Sequence, residues 1–377
     1  MTEKTTLFLL VGGGGQSVVE RTMRDAHRAA ARDLLERLLG TGLIERAVVA
    51  TDDPDWGGAL TGLAVDLDVD PLDEPFHFGQ RLAGLIERYG ARRVLCSGGG
   101  SAPLASLEDW GQVLSRLAEA DRLVVTNNLH SCDWVGFTPA ADMIPHVVSQ
   151  TSDNGIAWVL ANEGGWPSES LPVSAATRFD LDTPADLLIA QQHPAIGPHL
   201  RTFLDELGWE TPGVDGVLAE MAREGGRLAL AGRVSSAAWM ALEQATRCWI
   251  RVFAEERGMR ASGRQAWGEV CSLLADYIEL AGLESFFDRL ADLANGVLFD
   301  NRVILAARGL WPSAADRFNS DLYRWEQVQD PFLRRFTQAA AEARVPVVLG
   351  GHAVVSGGLM ALVEAFEARG EDSCRLC

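Results

Sequence analysis

Four consecutive glycines, Gly12 to Gly15, close a short apolar run, Thr6–Val11, and precede a stretch that reads as a helix from Val18 to Leu39. The helical reading rests on Val19, Met23, Ala26, Ala30, Leu34 and Leu38 at helical spacing. Glycine carries no Cβ, so a strand ending in such a run lets main-chain N–H groups approach a bound group closely. The following helix adds unpaired N–H donors and the positive end of its dipole. Strand, glycine loop and helix in that order suit a phosphate. The same order favours an α/β fold, in which ligands sit at the C-terminal ends of the strands. The loop, VGGGGQSVVERTMR from Val11 to Arg24, lacks a Gly-Lys-Ser/Thr and is not a Walker loop. Gly12 and Gly14 fit the first two places of a dinucleotide fingerprint, but Ser17 stands in the third. The next acidic strand end, Asp52 or Asp53, lies well beyond the usual spacing of about 20 residues, which disfavours nicotinamide and flavin.

Strand and helix signals keep alternating through the first half. Ala47–Thr51, Val94–Ser97, Leu123–Thr126 and Ile156–Ala161 read as strands. Phe78–Tyr89, Leu107–Ala118 and Thr183–Gln192 read as helices, the last opened by Asp182 or Thr183 with Pro184 just inside it. The expected result is a largely parallel sheet covered on both faces. Pro194, Gly197 and Pro198 mark a change of pattern, so a first domain is expected over 1–195. A second, mainly helical domain is expected over 200–370, with a tail over 371–377. Its helices are expected at Leu200–Leu207, Val214–Arg223, Ala237–Arg257, Gln265–Leu280 and Asp330–Ala343. Two strand–loop–helix units interrupt them: Arg227–Ala231 running into Gly232-Arg233-Val234-Ser235-Ser236, and Val345–Leu349 running into Gly350-Gly351-His352.

Charge narrows the partners. Lys and Arg number 33 against 52 Asp and Glu, a net of −19, so long-range repulsion excludes a general binder of nucleic-acid polymers. Lys4 is the only lysine, which leaves cationic chemistry beyond the N-terminus to arginine or a metal. No apolar run approaches the roughly 20 residues of a spanning helix, and no secretory signal or membrane partner is expected. Six cysteines scattered over the chain suit reduced thiols and a cytoplasmic setting. Cys374 and Cys377 form one isolated CxxC, read as a frayed tail rather than a zinc site.

Gly14-Gly15-Gln16-Ser17 followed by Arg21 resembles the G-G-x-S-x-R loop of nucleotidyltransferases with a GT-A fold, the molybdenum-cofactor and phospholactate guanylyltransferases above all. Leu34–Thr51 is similar to the segment that follows their loop. Gly100-Ser101-Ala102-Pro103-Leu104 stands where they carry G-D-x-P-L, and Asp180-Leu181-Asp182-Thr183-Pro184-Ala185-Asp186-Leu187 looks like their D-x-D-T-P-E-D-L. The resemblance spans Leu7 to Gln192. It implies a GT-A, nucleotide-diphospho-sugar-transferase-like sheet with helices on both faces. It also implies transfer of a nucleotidyl group from an NTP to a small phosphorylated or hydroxylated acceptor, with release of pyrophosphate.

Under that resemblance Gly12, Gly13, Gly14, Gly15, Gln16 and Ser17 cradle phosphates, with Gly100, Ser101, Asn127 and Asn128 completing the nucleotide site. Arg21 or Arg24 neutralises the phosphates. Mg²⁺ is held by Asp180 and Asp182, and Asp180 counts among the catalytic residues because a helix cap explains Asp182 and Asp186 but not Asp180. The chain also departs from the pattern: Ser101 replaces the metal-bearing Asp, the loop has no lysine, and Arg21 sits four residues past Ser17 rather than two. With Ser101 in that place, either Asp133 or Asp180 is expected to take over the metal. Two other readings stay open: a catalytically degenerate nucleotide-binding or interaction protein, and a glycosyltransferase using a nucleotide sugar.

Asn127 to Trp134 follow a strand with a density of donors and acceptors that suits base, ribose or acceptor recognition. Asp133, Arg233 and His352 are the acceptor-site candidates. The charges from Arg247 to Arg260 read as a solvated helix face, and the eleven tryptophans as core and interface anchors. The second domain is expected to close over the acceptor or to mediate association of copies into a homo-oligomer.

Overall fold

The computed structural model describes residues 4–71 and 75–375. The chain forms two compact units: one of residues 1–14, 24–178 and 197–203, the other of 15–23, 179–196 and 204–377. Residues 179–196, read from sequence as the end of the first domain, thus group with the second unit.

The first unit is built on seven strands: β1 (Thr5–Leu10), β2 (Ile44–Thr51), β3 (Val65–Val69), β4 (Val94–Gly98), β5 (Leu123–Thr126), β6 (Trp134–Thr138) and β7 (Ser168–Ser170). Their order is β3-β2-β1-β4-β6-β5-β7. Every pairing is parallel except those of β6, which runs antiparallel between β4 and β5. Both faces are covered. Leu7, Leu9 and Val11 join a core with Leu34, Leu35, Leu38, Trp110 and Leu114 from the helices Val18–Gly40 and Leu107–Glu119. Phe8, one residue out of step, joins the opposite core with Phe78, Leu82, Phe137 and Met143. Burial on both faces explains why these strands read as continuous apolar runs rather than alternating ones. This is the α/β sheet with helices on both sides that the sequence called for.

The run Ile156–Ala161 is not a strand but lies in the helix Ile156–Asn162. Its buried residues Ile156, Ala157 and Leu160 recur at helical spacing, a pattern that a short apolar run does not distinguish from a buried strand.

The second unit carries a four-stranded, wholly parallel sheet: β8 (Arg227–Gly232), β9 (Trp249–Ala254), β10 (Gly296–Asp300) and β11 (Val347–Gly350), in the order β11-β10-β8-β9. Helices surround it. One face is filled by aromatic rings: Phe299 of β10 meets Phe286, Phe287 and Phe336 at centroid separations of 5.8, 6.5 and 5.6 Å. Ala237–Arg257 is not one helix. The helix Ser236–Ala245 gives way to β9, whose Trp249-Ile250-Arg251-Val252-Phe253 run is rich in β-branched and aromatic residues. Arg251 therefore lies on an edge strand rather than a helix face. Gln265–Leu280 is also split, into Arg264–Trp267 and Leu273–Ala281, with Gly268 at φ 71° between them. The last helix spans Gly357–Arg375; Cys377, and with it the Cys374–Cys377 pair, lies outside the described residues. Among the described residues no helix is long and apolar enough to cross a membrane.

One contact explains why 197–203 belong to the first unit. Asp33, buried in the long helix Val18–Gly40, accepts the N–H of His199 at 3.0 Å and of Leu200 at 2.9 Å. It thereby caps the helix Pro198–Leu207 from 166 residues away in sequence. A side chain at Gly197 would collide with Asp33, so the glycine permits the approach. Asp33→Ala leaves two N–H groups without their acceptor and should cost about 1–3 kcal/mol. Urea denaturation measures the loss, and limited proteolysis should show earlier cleavage near 197–203.

Candidate functional site

A cavity of about 630 Å³ opens at the C-terminal ends of β1, β2 and β4, where Gly12 and Gly13, Asp52, and Ser97 and Gly98 line it. The start of β6 adds Asp133 and Trp134. Phe76 and Phe78 supply an aromatic wall, and Asp70 and Asp153 add carboxylates. Strand ends of parallel neighbours converge there because their register is set by paired backbones: Leu10 lies opposite Ala50 and Gly98.

The glycine loop is engaged by the chain itself. Gly13, at φ 86°, a conformation suited to glycine, donates its N–H to the Asp52 carboxylate at 3.1 Å. Asp52, noted in the sequence only as an acidic strand end too distant for a dinucleotide fingerprint, is thus a site residue; its position at the end of the strand beside β1 is the signal that places it here. Gly14 lies beside the Arg24 guanidinium, and Arg24 pairs with Asp25 at 3.2 Å. Gly15–Met23 group with the second unit. There Ser17 opens the helix, and the Glu20 carboxylate accepts the Ser17 hydroxyl at 2.6 Å and its N–H at 3.1 Å. A Cβ on Gly15 would overlap Glu20, so the glycine lets that carboxylate fold back. Arg21 donates to the Gln16 carbonyl.

Three of the expected residues meet in one network. Asn127 donates from Nδ2 to the Asp133 carboxylate at 2.5 Å and receives the Asp133 N–H on Oδ1 at 3.1 Å. The buried Ser101 hydroxyl donates to the Asp133 carbonyl at 2.9 Å. Asn128 makes a local turn, accepting the His130 N–H at 3.3 Å, and Gly100 is buried beside Ser101. Asn127 and Ser101 therefore fix Asp133 on the cavity wall. Cys96 and Cys132 also line the cavity, and burial pushes both thiols up, that of Cys132 to about 12, so neither is an activated nucleophile.

The resemblance implies Mg²⁺. Ser101 brings no charge to the strand end where the family pattern has an aspartate, and its hydroxyl is spent on a carbonyl. Among the described residues no group of three or more His, Cys, Asp and Glu is placed to hold a metal. Mg²⁺ keeps several waters and takes one or two carboxylates; on the cavity wall Asp133, Asp52, Asp70 and Asp153 supply carboxylates, Asp52 being bonded to Gly13.

Asp180 and Asp182 belong to the second unit. Asp182 donates its N–H to Asp186 at 3.0 Å; against burial, Asp300 chiefly and Asp182 in addition hold the Arg233 guanidinium above its usual range. Asp186 completes a capping box on Thr183 and is fully buried, which pushes its carboxyl well up. Arg233 and His352 come together at the C-terminal edge of the second sheet. Arg233 forms a two-point pair with Asp300, Nε to Oδ2 at 2.6 Å and Nη2 to Oδ1 at 3.0 Å. Asp300 is wholly buried; against that burial, Arg233, His352 and Arg302 hold its carboxyl below the usual range. Arg302 reaches Asp321 at 2.6 Å, and burial raises the Asp321 carboxyl to about 6 despite that pairing. Burial first, and then the charge of Arg233, push the His352 imidazole down to about 4.

No family model and no curated protein matches this chain. The first half of the chain is similar to solved nucleotidyltransferases. A protein described as a nucleotide-diphospho-sugar transferase from Desulfovibrio desulfuricans matches with a TM-score of 0.42 and 15% identity, over 55% of this chain and 95% of that one. A nucleotidyl transferase from Methanothermobacter gives 0.37 and 17%, over 52% and 99%. The CMP:2-keto-3-deoxy-manno-octonic acid synthetase solved with CTP gives 0.36 and 14%, over 50% and 99%.

His352 is held neutral in the folded state, whereas the unfolded chain protonates it near 6.5. The unfolded state binds more protons between those values, so stability falls as pH drops from about 6.5 to 4, by about 3 kcal/mol. His352→Gln should flatten that part of the stability–pH curve, measured by denaturant titration at a series of pH values.

Proposed function

We propose that the first unit binds a nucleoside triphosphate in its strand-end cavity and transfers the nucleotidyl group to a small acceptor, releasing pyrophosphate. The observation that carries this reading is the cavity's position. It lies at the C-terminal ends of parallel strands with the glycine loop on its rim, the place where α/β sheets take ligands. The aromatic wall of Phe76 and Phe78 suits a base, and the Gly12–Gly13 backbone suits a phosphate. Asp133, oriented by Asn127 and Ser101, would hold Mg²⁺ against the polyphosphate. When bound, that ion supplies charge neutralisation for the phosphate oxygens. The N–H of Gly13 supports the same oxygens once it leaves Asp52. A phosphate nucleophile needs no protein base, so the chain's own work is binding, alignment and exclusion of water.

A second reading, a nucleotide-binding protein without transfer, draws on two observations. Ser101 stands in the metal position of the family pattern, and Asp52 already occupies the Gly13 donor. Incubation with mixed NTPs, Mg²⁺ and phosphorylated or hydroxylated acceptors separates the two. Pyrophosphate release is the expected result. Nucleotide-induced thermal stabilisation without release selects the binding protein, and stabilisation by nucleotide sugars alone selects the glycosyltransferase. Asp133→Asn should lower pyrophosphate release by about 100-fold or more, with the melting temperature nearly unchanged. Undiminished turnover in that variant removes Asp133 from the site.

A further inference from the structure

A second cavity, of about 830 Å³, lies wholly within the second unit. It opens beside β11, an edge strand of the four-stranded sheet. The turn before the helix Pro212–Ala222 and the C-terminal ends of the helices Ala314–Asp321 and Pro331–Ala341 complete its walls. Leu188, Val214, Ala340, Val348 and Leu349 make those walls mainly apolar.

Most charged groups on the walls are committed elsewhere. Asp321 pairs with Arg302 at 2.6 Å, and Arg344 pairs with Asp288 and Asp292 at 3.1 and 2.9 Å. Glu210 is exposed, where water and salt screen its charge. Arg324 differs. It is half-buried, and among the described residues its guanidinium pairs with no carboxylate. It sits over the Trp209 ring, 5.3 Å from the centroid. A guanidinium held by a ring face keeps its N–H donors for another partner.

The turn that delivers Arg324 to this wall is specialised. The helix Ala314–Asp321 ends with the Tyr323 N–H donating to the Ser320 carbonyl at 3.0 Å and the Arg324 N–H to the Asn319 carbonyl at 2.9 Å. That is the Schellman pattern, whose left-handed position glycine usually takes. Here Tyr323 takes it, at φ 57°. A glycine would lack the hydroxyl that Tyr323 donates to the Val347 carbonyl of β11. The tyrosine therefore fastens the turn to the sheet edge and fixes the residue after it on the cavity wall.

We propose that this cavity binds a monocarboxylate with an apolar body, its carboxylate on the Arg324 guanidinium and its body against the apolar walls. One uncommitted guanidinium matches one carboxylate in charge and in the two-point geometry of its donors. Apolar walls with a single polar anchor are the usual make-up of a small-molecule site, and the volume lies within the usual range. The site belongs to the second unit and does not depend on the nucleotide reading of the first.

The test is calorimetric titration of the full chain with octanoate and 4-phenylbutyrate, against octanol and octylamine at equal ionic strength. Saturable binding of both acids is expected, with octanol and octylamine at least tenfold weaker. Arg324→Gln should weaken octanoate at least tenfold and leave octanol unchanged. Ala341→Trp, at an exposed helix end on the cavity wall, should weaken octanoate at least tenfold by filling the space. The absence of saturable heat from both acids overturns the proposal. So does octanol or octylamine binding as tightly as octanoate, or full octanoate affinity in either variant. Should a variant fail to fold, the comparison of acid, alcohol and amine on the wild-type chain still decides.

Discussion

A backbone N–H has one hydrogen to give, and at Gly13 that hydrogen goes to Asp52. The first unit's cavity must be understood through this competition. A carboxylate at the end of β2 occupies this donor, and Glu20 does the same for Ser17 at the start of the long helix. Each carboxylate satisfies a donor that would otherwise lack a partner within the chain. Any group that is to use the Gly13 N–H must first displace the Asp52 carboxylate.

The second unit solves a different problem. Asp300 is wholly buried, and an isolated carboxylate there would be strongly disfavoured. Arg233 stabilises it from the end of β8 through two guanidinium bonds and its own N–H at 3.3 Å, the N–H of Arg302 adds a fourth bond at 3.1 Å, and Gly232 brings the two strand ends close enough for this to happen. At φ 110° Gly232 adopts a conformation that side chains resist, and a Cβ there would stand 2.4 Å from the Asp300 carbonyl oxygen. The geometry of one glycine thus holds an ion pair that in turn places the surrounding polar groups.

Much of this architecture was legible in the sequence. The strand–glycine–helix opening placed β1, its loop and the helix Val18–Gly40 correctly, because a long periodic pattern and a glycine stop act on the same segment. Phe78–Tyr89 and Leu123–Thr126 were read to the residue. The short, polar or edge strands were not. β3 carries two aspartates, β7 is three residues long, and β9 was hidden in a helical pattern by its charged neighbours. In the site, Asn127 and Asp133 were singled out from a polar loop after a strand and Ser101 through the family resemblance, yet their mutual bonding depends on β6 running antiparallel beside β4 and β5. No local pattern announces that pairing. Asp52 was noted as an acidic strand end but not as a partner of the glycine loop, since only the parallel register of β1 and β2 brings it to Gly13.

The clasp between Asp33 and residues 199 and 200 has a consequence for the order of synthesis. A chain made from its N-terminus completes all seven strands of the first sheet by Ser170, but that unit's last hydrogen-bonded cap arrives about thirty residues later. By then the ribosome has already produced the stretch 179–196, which groups with the other unit. The first unit thus receives its last cap only after a stretch of the second unit has been made, while the strands of the second sheet are still to come.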